Sequence, residues 1–153
     1  MKRLILMCGL LASGFSFGAD WVFVAENQDG DTDHYIDSSY YNYSAKTGVS
    51  MVWYKVNKFN GLDEYTHTKS LVAYDCINKK ERFLAQAIYS QDGQSLQNVD
   101  KPESSFRVIY PDTTGESLWM AACKTKGNGL YLPYKPNFIS EKRMKLLGLR
   151  DEK

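Results

Sequence analysis

Val49-Ser50-Met51-Val52-Trp53-Tyr54-Lys55-Val56-Asn57-Lys58-Phe59 is the stretch that decides the fold class. It is rich in β-branched and aromatic residues, and side chains two apart share a face of an extended chain. Val52, Tyr54 and Val56 therefore fall on one side and Met51 and Trp53 on the other, which reads as a strand.

The same signal recurs outward in both directions. Downstream, Asn60-Gly61-Leu62-Asp63-Glu64 is punctuation, and Thr66 to Cys76 resumes as a strand. After the polar Asn78-Lys79-Lys80, Arg82 to Ser90 carries Phe83, Ala85, Ala87 and Tyr89 on one face; its pattern also tolerates a helix, and strand is the reading adopted. Gln91-Asp92-Gly93 turns the chain, the polar 94–103 stretch is expected to wander, and Ser105 to Tyr110 is a further strand. Upstream, Trp21 to Ala25 is a first strand. Asn27-Gln28-Asp29-Gly30-Asp31 is turn chemistry with Gly30 free to take positive φ, and His34-Tyr35-Ile36-Asp37 is the return. Ser38 to Gly48 reads as a polar, tyrosine-rich connection that admits a partial strand. Strand after strand with short turns predicts an antiparallel meander.

The period changes at Thr113-Thr114-Gly115-Glu116, whose hydroxyl and carboxylate three residues apart fit a capping box. Leu118, Trp119, Ala122 and Cys123 follow at helical spacing, and Gly127 is a fit stop. The helix is the element available to cover one face of the sheet, so the expected fold class is α+β. Its plan is a single antiparallel sheet with a C-terminal helix packed on one face. Beyond it, Tyr131-Leu132-Pro133-Tyr134-Lys135-Pro136 is extended by its prolines, and a short amphipathic helix is expected over Ser140 to Leu147.

The 153 residues suit one domain, and 43% hydrophobic against 24% charged residues allow a packed core. A net charge of +1 argues against a strongly basic nucleic-acid binder. Lys2 and Arg3, the apolar run Leu4 to Phe17 and the small Ser16 and Gly18 read as a signal peptide, residues 1–18, cut after Gly18. Cys8 is expected to leave with it: a lipobox wants a small residue before its cysteine, and Met7 stands there, so no lipid anchor is evident. Residues 19–125 are then the folded domain and 126–153 a basic extension. Residues 19–123 carry nine basic and fifteen acidic side chains, and 124–153 carry eight and three.

Export leaves Cys76 and Cys123, an even pair in an oxidising compartment, and a structural disulfide between them is expected. It would tether the helix to the end of a strand. The carboxylates of Asp29, Asp31 and Asp33 could collect a hard cation, but His34 and Tyr40 stand where an EF-hand wants Gly and Glu, so a solvated turn is the better reading. His34 and His67 lie in no nucleophile motif, and His34 is expected at the surface. No enzyme, metal or cofactor is expected. Tyrosine gives wide amphipathic contact at low entropic cost, which makes Tyr40, Tyr41 and Tyr43, with Tyr131 and Tyr134, candidates for protein binding. Lys142, Arg143 and Lys145 are candidates on the tail, which has three readings: fold-back on the acidic body, a loose end, or contact with anionic lipid.

In order along the chain, Trp21, His34-Tyr35-Ile36-Asp37, Val49 to Lys55, Lys69-Ser70-Leu71, Asp75-Cys76, Arg82-Phe83-Leu84, Phe106 to Pro111 and Leu118 to Cys123 resemble the surface-adhesin protein E family. The resemblance runs from about Trp21 to Cys123. It implies about six antiparallel strands with a disulfide-tethered C-terminal helix. It further implies an envelope protein of a Gram-negative bacterium that binds host extracellular-matrix or serum proteins, in a family whose members can form homodimers. The alternative is a soluble periplasmic accessory or structural protein that binds another envelope component.

Overall fold

The computed structural model describes residues 18–133 other than 29, 61–63 and 91; the rest of the expected signal segment, and Tyr134, Lys142, Arg143 and Lys145 with the whole of 134–153, lie outside the described residues. Strands β1 (Trp21–Glu26), β2 (Thr32–Ser44), β3 (Val49–Asn60), β4 (Glu64–Asp75), β5 (Lys80–Tyr89), β6 (Ser95–Val99) and β7 (Arg107–Val108) precede helix α1 (Thr114–Cys123). The sheet is antiparallel throughout in the order β1-β2-β3-β4-β5-β6. β7 joins the edge of β5 at Lys80 and Glu81, and β6 pairs with β5 at the other end, Gln86 to Tyr89. From β1 to β6 consecutive strands are neighbours, each pair closed through a short connection.

Three segments differ from the sequence expectation: two are drawn into the sheet further than their pattern indicates, and one less far. The tyrosine-rich 38–44 stretch is the second half of β2: after a shift in register between Ile36 and Tyr41, Tyr41 to Ser44 pair with Val52 to Val49. Asp37 steadies the shift by accepting from the Asp20 N–H at 3.0 Å and the Ser39 N–H at 2.9 Å. The polar 94–103 stretch contains β6, five exposed residues held only by the ladder to β5. An edge strand with no buried face has no alternation to display. The strand expected over Ser105 to Tyr110 shrinks to Arg107–Val108. Just before it, Glu103 takes up β5's edge, donating its N–H to the Phe83 carbonyl (2.9 Å) while its carboxylate accepts from the Phe83 N–H (3.0 Å).

Helix α1 starts as its sequence predicts. The Thr113 hydroxyl accepts from the Glu116 N–H at 3.2 Å; the Glu116 carboxylate reaches back one residue further than in a usual capping box, to the Asp112 N–H at 2.7 Å. Glu116 also pairs with Lys79 in the β4–β5 turn. Leu118, Ala121, Ala122 and Cys123 are buried against Val24, Ile36, Val52, Val72 and Tyr74. Alanines at the centre of the contact let the helix lie close to the sheet. The Cys76–Cys123 disulfide, Cα atoms 5.3 Å apart and 47 residues apart in sequence, joins the helix end to the residue following β4. On the chain-entropy account a loop of this length contributes about 4 kcal/mol. The Trp119 indole N–H donates to the Asp75 carbonyl at 3.2 Å, a second tie at the same corner. After the helix Leu130 and Leu132 continue over the core.

Candidate functional site

The tyrosines that the sequence singles out do not stay together. Tyr41 and Tyr43 pair with Val52 and Ser50 and so share the helix-covered face. The Tyr41 hydroxyl donates to the Ala122 carbonyl at 3.2 Å, and the Tyr43 ring lies where a Cβ on Gly127 would come within 2.7 Å of it. Gly127 also has φ of +99°, so the chain can leave the helix there only as glycine without strain. Tyr131 donates its N–H to the Ala121 carbonyl at 2.8 Å, and its ring lies 3.7 Å beneath the Lys124 ammonium. These three hold the C-terminal segment to the sheet. Tyr40, beside the register shift, is exposed.

The opposite face of the sheet is covered by no helix or strand among the described residues. Register assembles it in rows across β3, β4 and β5: Trp53, Leu71 and Ala85; then Lys55, Lys69 and Ala87; then Asn57, His67 and Tyr89. β2 adds Tyr35 opposite Lys55, and β1 adds Trp21 and Phe23. The lysines are threaded among the rings. The Lys55 ammonium is 5.2 Å from the Trp21 ring centre and 4.8 Å from that of Tyr35. The Lys69 ammonium is 4.6 Å from Tyr89 and 6.0 Å from Trp21, which leans across two strands to reach it. His67 stacks on Tyr89 with centres 4.9 Å apart, and Phe23 meets Tyr35 edge-on at 5.8 Å.

Lys55 and Lys69 are direct register partners. Burial, and then the charge of Lys69, depresses the Lys55 pKa below its ordinary value. Burial, followed by the charges of Lys69 and Lys55, depresses that of His67. The nearby Asp33 is buried and accepts from the Tyr35 hydroxyl at 3.2 Å. Neither lysine is in an ion pair among the described residues. The sequence reading passed over this group. The signal that could have found it is a lysine interrupting each of two adjacent strands at an otherwise ring- or aliphatic-rich position.

Elsewhere the polar groups serve the scaffold. A cleft of about 290 Å³ opens between Phe83, Gln86, Val99, Lys101 and Arg107. Its arginine is held by Glu81 at 3.0 Å and Glu103 at 3.5 Å, and lies 4.4 Å from the Phe83 ring. In the first hairpin turn, Asp31 accepts from the Asn27 amide at 2.6 Å and from the Thr32 hydroxyl at 2.9 Å. His34, expected at the surface, is half-buried between Ala25 and Val56, and burial depresses its pKa against the opposing pull of Asp33.

Against known proteins, the family model described as surface-adhesin protein E matches residues 21–124, which span all seven strands and the helix. No curated protein and no solved structure gives a significant match.

Proposed function

The chain belongs to the surface-adhesin protein E family, and from that premise we propose that it is an exported, non-enzymatic envelope protein that binds a host extracellular-matrix or serum protein. The observation that carries this reading is the family match across the whole sheet and helix. Two features of the molecule are consistent with it. A disulfide-tethered sheet is a scaffold suited to conditions outside the cytoplasm. Among the described residues one broad face presents aromatic and cationic side chains, the residue types enriched where proteins are recognised. Tyr40, exposed at the register shift, is a second point of contact in this reading, and Tyr134, Lys142, Arg143 and Lys145 contribute from the tail.

The test has two arms. Purified protein is expected to bind at least one member of a panel of immobilised matrix and serum proteins; binding to none above background counts against the reading. A C-terminally tagged copy is expected to be cut by added protease on intact cells, with a known periplasmic protein as control. Protection until the outer membrane is opened would place the chain in the periplasm and make an envelope component its partner.

A further inference from the structure

Like charges directly opposite each other on neighbouring strands are unfavourable, because the Cβ atoms of such a pair are only about 5 Å apart. The open face nonetheless places Lys55 opposite Lys69, half-buries both, and provides neither with an ion pair among the described residues. Surface lysines usually avoid each other by swinging apart into water. Here the rings of Trp21, Tyr35 and Tyr89 hold the two ammonium groups in place. Ring contact satisfies one side of an ammonium and leaves its remaining N–H groups free to donate. The low dielectric of the surrounding rings strengthens attraction to an incoming anion, and the ordering entropy is met before binding.

We propose that Lys55 and Lys69 form a docking site for a side-chain carboxylate of an acidic, partly apolar segment of a protein partner. The site's size and setting select that occupant. It is an island of two cations in residues 19–123, which carry nine basic and fifteen acidic side chains in all. A long polyanion or an anionic bilayer would meet net repulsion from this body, whereas one carboxylate can sit at the lysine pair itself, with the Asp33 carboxylate one row away. Trp53 and Leu71 in the adjoining row offer apolar contact to the residues flanking that carboxylate. The chain's own residues 134–153 carry six basic and three acidic side chains, a poor match in sign. The inference rests on the adhesin reading for the existence of a protein partner and specifies the chemistry of one contact.

The probe is a labelled, capped peptide alternating glutamate with leucine, and its lysine–leucine counterpart is the control. Binding to residues 19–153 is followed by fluorescence anisotropy. Lys55→Gln and Lys69→Gln are each expected to weaken binding about tenfold, the worth of one charged hydrogen bond. Lys69→Arg is expected to retain binding, and Lys101→Gln, away from this face, to leave it unchanged. Equal binding by both glutamine variants overturns the proposal, as does an equal loss in Lys101→Gln. So does tighter, Lys55- and Lys69-dependent binding of a sulfated oligosaccharide, which would make the occupant a glycan. The same variants on the matrix and serum panel separate the two readings. Panel binding that survives loss of peptide binding breaks the docking site alone; peptide binding without any panel binding breaks the adhesin reading alone.

Discussion

The two faces of one sheet solve the same problem by different chemistry. On the covered face, Val24, Ile36, Val52, Val72 and Tyr74 are almost fully shielded, and α1 seals them with Leu118, Ala121 and Ala122. Stability there comes from area removed from water, at roughly 25 cal/mol per Å² of apolar surface, and from the disulfide that keeps the lid in place. On the open face Trp21, Tyr35, Lys55, Lys69 and Tyr89 are half-buried and amphipathic, and they shield one another: rings cover lysine stems, and lysines cap rings. Contacts of this kind are worth about 0.5–1 kcal/mol each at exposed sites. A strand with period-2 alternation thus encodes an aliphatic core on one side and a face of interleaved rings and lysines on the other.

This contrast can be broken by mutation, most sharply on the covered side. Cys76→Ser is expected to cost about 4 kcal/mol and to raise amide exchange across α1; urea unfolding with and without reductant reads it, and equal midpoints would mean that the helix needs no tether. Leu118→Ala, which opens a cavity beneath the helix, is expected to cost about 3 kcal/mol in the same assay. On the open face, Tyr89→Leu removes the His67 stack and the Lys69 contact and is expected to cost only about 1 kcal/mol. A loss as large as that of Leu118→Ala would show that the open face is a second core rather than a surface.

The smallest expected effect is one of pH. His34 and His67 both have pKa values depressed below 6.5 in the fold, chiefly by burial, so the unfolded chain takes up their protons first. Their contribution is complete above 6.5 and declines as the pH falls through 6.5 towards the folded values. Thermal midpoints should therefore fall on mild acidification. His67→Gln should remove the open-face share of that slope and His34→Gln the covered-face share. An unaltered slope in both variants would assign the acid sensitivity to other groups.

Where a segment's own residues decide its state, the sequence was enough. The alternation of Val49 to Phe59, the Thr113 cap and the helical spacing of Leu118, Ala122 and Cys123 each follow from contacts within a few residues, and each element stands where it was expected. The Cys76–Cys123 disulfide was legible for a related reason: export and an even pair leave one connectivity. The second half of β2 was legible only as a partial strand, and the edge strand β6 not at all, because their polar residues show no clear alternation and the neighbouring strand makes them extended.

The candidate site divides along the same line. Sequence alone grouped Tyr40, Tyr41 and Tyr43 because they are adjacent, but pleat and register turn Tyr41 and Tyr43 towards the helix and leave Tyr40 exposed. Lys55 and Lys69 were visible as residues, yet nothing local pairs them. Their apposition depends on how β3 and β4 align, and a slip of one residue in that alignment would send one lysine to the opposite face of the sheet. What the sequence determined by itself was the central strands, the helix and the covalent tether, since these rest on local periodicity and cysteine number. Which charges and rings share the open face was decided only by the tertiary structure, because cross-strand register is set by long-range pairing.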